Sequence, residues 1–180
     1  MVDMTETNVL SSHDPVDHLT GERADLLEAL QAHRGFLRHT ISGLTDDQAR
    51  SRPTASQLSL ASIVKHVTAT EASWIRFVLG DAEAMASDPE AWAEEWRVGD
   101  DETVDVLLAR YDEVAARTDD LVRSGLDLDA RQPLPVAPWF PPGATRSARR
   151  VLVHLVAETA QHAGHADIIR ETIDGQKTMG

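Results

Sequence analysis

The stretch Val151-Leu-Val-His-Leu-Val-Ala-Glu-Thr-Ala-Gln-His-Ala-Gly-His-Ala-Asp167 decides how this sequence folds and where its chemistry lies. Side chains spaced three, four or seven residues apart share one face of a helix, and a carboxylate and three imidazoles here have those spacings. They are His154, Glu158, His162 and His165. Imidazole and carboxylate groups are the usual protein ligands of zinc and similar divalent metals. The stretch therefore predicts a metal site on one helix of a helical bundle.

The composition is that of a folded domain with a strongly acidic balance. The chain has 180 residues, of which 42% are hydrophobic and 26% charged, which is typical of one globular domain with a sizeable core. Its formal net charge of -13 argues against nucleic acid and against anionic membrane surfaces as partners, because both attract basic surfaces. The absence of cysteine excludes disulfides and a cysteine nucleophile or metal ligand.

The sequence also indicates where the protein works. Residues 1–13 are polar and acidic and lack the basic and apolar regions of a signal peptide. No apolar run approaches the length of a membrane span. Together with the lack of cysteine, which fits a reducing compartment, these features predict a cytoplasmic protein with no membrane partner.

Four long segments have apolar residues at helical spacing and are predicted as helices. They run over about 19–41, 59–79, 103–121 and 147–174. A short helical turn is expected between the first two, with Thr45 as its N-cap and Pro53 at its end. The prediction is an all-α fold, a four-helix bundle with long connections after the second and third long helices.

The two long connections differ in composition. Residues 81–101 are acidic, contain Trp92 and Trp96, and leave room for a short helix. Residues 127–145 contain five prolines and are expected to be irregular. We expect a flexible tail over 1–18, one domain over 19–175 and a short tail over 176–180.

A metal site on the fourth helix needs a partner on a facing helix. The second long helix offers a single histidine, His66, whose apolar neighbours place it near the buried seam. His33 and His39 on the first helix are further options, and His13 and His18 near the tail are weaker ones.

Several separate blocks of this sequence resemble the DinB-like superfamily of four-helix-bundle metalloproteins. The resemblance is strongest to the actinobacterial branch that includes mycothiol-dependent maleylpyruvate isomerase, and it covers about residues 19–175. The blocks are Arg52-Pro53, Leu58-Ser-Leu-Ala-Ser-Ile-Val-Lys-His66, Leu107-Leu-Ala-Arg-Tyr111, Val151-Leu-Val-His-Leu-Val-Ala-Glu158, and His162-Ala-Gly-His-Ala-Asp167 followed by Arg170 to Gly175.

The resemblance implies a set of metal ligands. It places one metal ligand on the second long helix and two on the fourth, which correspond here to His66, Glu158 and His162. Three protein ligands leave an open position, as in catalytic zinc sites, although nickel, iron and manganese suit the same ligands. His165, one turn beyond His162, is expected to support a ligand or transfer a proton, or to replace Glu158 as a ligand.

The resemblance also implies a reaction in which a metal-bound low-molecular-weight thiol, mycothiol or a similar one, attacks a small electrophile in an S-transferase or isomerase type of step. Arg52, Lys65, Arg149 and Arg150 are then candidates to hold carboxylates of the thiol cofactor or of the substrate, and the alternative for each is a solvated surface charge. Two alternatives stay open: a non-catalytic, stress-linked metal-binding protein, and a hydrolase that uses metal-bound water. A homodimer is possible.

The tryptophans Trp74, Trp92, Trp96 and Trp139 either line a pocket mouth or anchor the core and loops. The proline-rich loop 133–142 either covers the site as a lid or only ties off a connection.

Overall fold

The computed structural model describes residues 19, 21–85, 88–138 and 140–178, and in this part of the chain the protein is mostly helical. The helices are α1 (Glu22–Ile41), α2 (Asp46–Arg50), α3 (Leu60–Val78), α4 (Pro89–Glu95), α5 (Val104–Arg123) and α6 (Ala148–Asp174). A 3-10 helix (Ala82–Met85) follows α3, and two short strands, β1 (Arg131–Pro133) and β2 (Thr145–Ser147), lie between α5 and α6. The predicted all-α class is confirmed. The tail predicted over 1–18 lies outside the described residues.

Every α-helix after α1 begins at a polar side chain that accepts a hydrogen bond from a free backbone N–H group, whereas α1 follows Gly21 and has no side-chain cap. Thr45, the predicted cap, forms a capping box with Gln48 at the start of α2, and Ser59 forms one with Ser62 at the start of α3. Ser147 accepts a hydrogen bond from the backbone N–H of Arg150 and so caps α6. The four long helices agree with the predicted bounds to within about one turn, and these local signals account for the starts of α3 and α6.

Helices α1, α3, α5 and α6 form the bundle. Helix α1 packs mainly against α6, and α3 packs against both α5 and α6. The buried apolar side chains form two clusters, one containing Ile63 and Ala163 and the other containing Phe77 and Leu152. On every long helix a polar residue occupies the level between the two clusters, and this level holds the candidate site.

Part of that middle level is a buried ion-pair network between α1, α3 and α5. Arg34 Nε donates to Glu71 Oε2 at 3.2 Å, and Arg34 Nη1 donates to Asp119 Oδ1 at 2.7 Å. Thr118 Oγ1 also donates to Glu71 Oε1 at 2.6 Å. Glu71 is only 1% exposed, so these partners take the place of water around its carboxylate.

The connection between α5 and α6 corrects one expectation. We expected 127–145 to be irregular, but β1 and β2 pair antiparallel, with Arg131 opposite Ser147 and Pro133 opposite Thr145. Pro133 is tolerated because a two-stranded sheet has only edge strands, where a missing N–H costs little. Strands of three residues are too short to show a periodic pattern, which is why the prolines dominated the prediction.

The connection between α3 and α5 contains the short helix for which the sequence left room. Lys65 on α3 binds the segment that leads from α4 to α5. Its Nζ donates to Arg97 O at 2.6 Å and to Glu102 Oε2 at 2.8 Å. Arg50 Nη2 donates to Gly99 O at 2.8 Å in the same loop. These bonds hold α4 close to α3. Among the described helices, none has both the length and the apolar character that crossing a membrane requires.

The pattern His-Ala-Gly-His-Ala-Asp followed by Arg-Glu-x-Ile-Asp-Gly has a structural role at its end. Arg170 Nη1 donates to Thr40 O at 2.8 Å and to Ser42 O at 2.9 Å, so it satisfies carbonyl groups at the end of α1. Gly175, with a φ of 80°, ends α6 in the left-handed conformation that glycine adopts readily. This part of the motif therefore fixes α1 to α6.

Candidate metal centre

Three predicted ligands meet where α3 faces α6. One ligand atom from each of His66, Glu158 and His162 lies within 4.8 Å of the other two. His66 Nε2 and His162 Nε2 each lie 3.3 Å from the same carboxylate oxygen, Glu158 Oε1. Ligand atoms held about 2.0–2.1 Å from a tetrahedral zinc ion are about 3.3–3.4 Å apart, so these spacings fit such an ion.

The position of the three side chains follows from the packing of the two helices. On α3, His66 directly precedes Val67, at the end of one apolar cluster, and Trp74 of the other cluster lies about two turns further along the helix. On α6, Glu158 and His162 lie between Leu155 and Ala163, which also belong to different clusters. The two clusters therefore fix the level at which the ligands from the two helices meet.

The electrostatics of the cluster require a positive charge between the three groups. A neutral imidazole with a free Nε2 and a carboxylate oxygen are both acceptors, so their close approach needs a proton or a cation. Burial lowers the pKa of His66, but hydrogen bonds with Glu158 and Glu95 outweigh it and raise that pKa above its usual 6.5. Hydrogen bonds with His162 and His66 hold the pKa of Glu158 far below its usual 4.5, although partial burial opposes this. The donor set therefore fits a divalent metal that replaces the protons.

A further carboxylate holds His66 from the other side. Glu95 Oε2, at the end of α4, lies 3.1 Å from His66 Nδ1. Because an Nδ1–H donated to Glu95 leaves Nε2 free, this contact selects the tautomer in which Nε2 faces Glu158. The indole ring of Trp96 stacks on the His66 imidazole, with ring centroids 4.0 Å apart and an angle of 18° between the rings.

The other histidines occupy different positions. The His165 ring contacts the His162 ring with centroids 5.3 Å apart, and it is not a member of the three-residue cluster. Nδ1 of His162 and Nδ1 of His165 are buried and have no hydrogen-bond partner among the described residues. His154 packs edge-on against Trp74, with centroids 5.0 Å apart. A supporting or proton-transfer role for His165 stays a prediction.

Histidines predicted as options elsewhere are not brought to the site. His33, on α1, packs its ring against Phe36, and His39 is exposed on the same helix. His13 and His18 lie outside the described residues, as does Trp139.

A cleft of about 870 Å³ opens beside His66. Its walls come from α3, from the connection that contains α4, and from the loop before β2. Among the residues that line it are His66, Thr70, Trp74, Trp92, Glu95 and Phe140. Trp74 and Phe140 also line a smaller recess of about 100 Å³, in which Arg146, Arg150 and His154 lie. The volume of the cleft, about 870 Å³, is in the range of small-molecule sites.

The predicted arginines have different surroundings. Arg150 lines the recess. Arg149 Nη2 donates to Glu22 Oε2 at 3.1 Å, and its Nη1 pairs with Asp129. Arg52 is exposed and donates to Gln57 Oε1 at 3.3 Å. Binding of a cofactor by Arg52, Arg149 or Arg150 stays a prediction, and of the three only Arg150 lines the recess. Lys65, another candidate for binding carboxylates, is engaged with Glu102.

Sequence reasoning missed Glu95 and Arg146. Glu95 belongs to an acidic run, and no local pattern marks it among the neighbouring carboxylates. Arg146 reaches the recess because it lies on β2, a strand that was not predicted. The N-cap Ser147, which places the start of α6 next to Arg146, was the only local signal available.

The fold has known counterparts. The solved structure of a conserved protein from Enterococcus faecalis matches with a TM-score of 0.61 and 14% sequence identity, covering 88% of this chain and 100% of that chain. At this identity the likeness supports the fold alone. No curated protein of similar sequence was found.

The family of the chain is established by its sequence. The family model described as mycothiol-S-transferase matches residues 25–175, which include α3, α6 and the three converging side chains. This match bears out the resemblance to the DinB-like superfamily and its mycothiol-dependent branch. The chain belongs to the mycothiol-S-transferase family.

Proposed function

We propose that the protein is a metal-dependent S-transferase that uses mycothiol, or a similar low-molecular-weight thiol, as the nucleophile toward a small electrophile. The observation that carries this proposal is the convergence of two imidazole nitrogens and a carboxylate oxygen beside an open cleft. The family match supports mycothiol and the transfer of its sulfur.

The protein must obtain its nucleophilic sulfur from outside, because its sequence has no cysteine. A free thiol is only a few per cent ionised at neutral pH and therefore needs activation. A divalent metal held by His66, Glu158 and His162 would leave one coordination position for the thiol sulfur and stabilise the thiolate. Zinc is the metal we propose, and the same ligands also suit nickel, iron and manganese.

The residues of the chain have distinct parts in this proposal. Glu95 orients His66 through Nδ1, and Trp96 covers the face of the same ring. The cleft walls hold the electrophile close to the sulfur and exclude water. In a substitution, the sulfur forms a bond to the electrophilic carbon, the leaving group departs with its bonding pair, and the thiol proton passes to solvent.

The open cleft bears on the two alternatives. A non-catalytic metal-binding protein needs no cavity, whereas a cleft of about 870 Å³ has room for a thiol and a second molecule. A hydrolase would use the same ligands, and it is distinguished by the absence of thiol dependence.

The first experiment measures the metal content of the purified protein by elemental mass spectrometry. We expect about one divalent ion per chain in the wild type and much less in His66→Ala and Glu158→Ala. His39→Ala, which removes an exposed imidazole from α1, is the matched control and should keep the metal. Full metal retention in both ligand variants would refute the proposed ligand set.

The second experiment measures turnover of 1-chloro-2,4-dinitrobenzene with and without mycothiol. We expect product formation that depends on both thiol and metal. Turnover of an ester that needs metal but no thiol would favour the hydrolase, and metal binding without turnover of any electrophile would favour the non-catalytic alternative.

A further inference from the structure

Two arginines in the recess beside the cleft have no partner within the described ranges of the chain. Arg146 on β2 and Arg150 in the first turn of α6 line this recess together with Trp74, Phe140 and His154. Over the residues that the structure describes, neither guanidinium group makes a hydrogen bond or an ion pair. The chain has 30 acidic residues and only 17 basic ones, so carboxylates are abundant. Two unpaired cations in one recess of such a chain indicate that an anion from outside belongs between them.

Arg149, the residue before Arg150, differs from these two arginines because its guanidinium group is paired. Arg149 occupies the same turn of α6, and its guanidinium group is engaged by Glu22 and Asp129. Among the described carboxylates, two therefore pair with Arg149 and none pairs with Arg146 or Arg150. Burial lowers the pKa of His154, the charge of Glu158 opposes this, and the charges of Arg150 and Arg146 lower it further.

The recess lies next to the metal-centre cleft. Trp74 and Phe140 line both of them. On α6, Arg150, His154 and Glu158 follow one another at intervals of four residues, so the first and last are about 12 Å apart along the helix axis. A molecule with its anionic group at the arginines can therefore extend along the cleft toward His66 and Glu158.

We propose that Arg146 and Arg150 form an anion-binding subsite that holds a carboxylate of the electrophilic substrate. Guanidinium groups match carboxylates in charge and geometry, and a pair of them holds one oxyanion better than either alone. The anion belongs to the electrophile because mycothiol has no carboxylate: its cysteine is acetylated at nitrogen and joined to the sugar by an amide. The subsite rests on the proposed function, since it concerns the second substrate of the same reaction.

The kinetic test compares two aryl chlorides that differ only in a carboxylate, 4-chloro-3,5-dinitrobenzoate and 2-chloro-1,3-dinitrobenzene. In both reactions sulfur forms a bond to the ring carbon, chloride leaves with its bonding pair, and the thiol proton goes to buffer. The metal-loaded wild type, the double variant Arg146→Gln/Arg150→Gln and the control Arg117→Gln are compared. Arg117 is exposed, pairs with Glu113 on α5 and lies outside the cleft, so its variant has the same charge change per arginine.

We expect the double variant to lose about tenfold to hundredfold in kcat/KM for the carboxylate and less than about twofold for the neutral compound. The Arg117→Gln control should leave the ratio of the two substrates unchanged. An unchanged ratio in the double variant, with thiol-dependent turnover of the neutral compound intact, would overturn the subsite and leave the proposed function standing.

A binding test without turnover separates the two proposals. The affinities for 3,5-dinitrobenzoate and 1,3-dinitrobenzene, which have no leaving group, are measured by calorimetry on the same three proteins. Binding of the benzoate that weakens about tenfold or more in the double variant supports the subsite, even if no thiol-dependent turnover is found. Equal benzoate affinity in wild type and double variant overturns it. Thermal unfolding of the double variant checks that it is folded.

Discussion

Removing the carboxylate of Glu95 should weaken metal binding without removing a ligand. Glu95 Oε2 lies 3.1 Å from His66 Nδ1, and the Glu95 side chain is 28% exposed. Glu95→Gln keeps an oxygen acceptor but loses its charge, whereas Glu95→Ala loses both. The two variants therefore separate the charge of this contact from its hydrogen bond.

The expected loss of zinc-binding free energy follows from the hydrogen bond between Glu95 and His66. A hydrogen bond to a charged group contributes about 1.5–3 kcal/mol and a neutral one about 0.5–1.5 kcal/mol, and the partial exposure of Glu95 favours the lower values. We therefore expect Glu95→Gln to lose about 1 kcal/mol of zinc-binding free energy, or about fivefold in affinity, and Glu95→Ala about 2 kcal/mol, or about thirtyfold.

The assay is competition for zinc with a chromophoric chelator at fixed pH and ionic strength. Glu94→Gln is the matched control, because Glu94 is the preceding residue, is exposed, and pairs with Arg97 rather than with His66. The wild type and Glu94→Gln should bind zinc equally. If Glu95→Ala also binds zinc as tightly as the wild type, Glu95 does not orient His66 and the argument fails.

Two further predictions concern stability. Arg34→Ala should lower the free energy of unfolding by about 3–5 kcal/mol in chemical denaturation, because it leaves the carboxylate of Glu71 buried and uncompensated. Arg38→Ala, one turn further along α1, breaks an exposed pair and should cost less than about 1 kcal/mol; equal losses in the two variants would contradict this reasoning. Burial of Glu102 would raise its pKa, but hydrogen bonds from Lys65 and from neighbouring groups lower it below 4.5, so its ionised form stabilises the folded state. Glu102→Gln should therefore cost about 1–3 kcal/mol at neutral pH, and the difference from the wild type should shrink as the pH falls below 4.5; a constant difference down to pH 3 would refute the assignment.

The sequence predicts those site residues that share one helix better than those that loop contacts bring in from distant parts of the chain. Glu158 and His162 lie one turn apart on the same helix, so their shared face follows from periodicity alone. His66 was identified because a bundle needs a ligand on a facing helix and α3 has a single histidine, and the family resemblance then selected it. Glu95 and Arg146 reach the site through α4 and β2, and their positions depend on loop contacts between distant parts of the chain. Such contacts leave no periodic pattern, so residues of this kind become visible only in the folded structure.

The middle level of the bundle links the stability of the fold to the geometry of the candidate site. His66 and Glu71 are five residues apart on α3, so they lie about 140° apart around the helix and face different neighbours. Glu71 faces α1 and α5, where Arg34 and Thr118 bind it, and His66 faces α6. The buried ion pair therefore fixes the rotation and the height of α3 from the side opposite the ligands. Because this constraint does not depend on a metal, it limits the freedom of α3 independently of the ligands and so lowers the cost of organising the site.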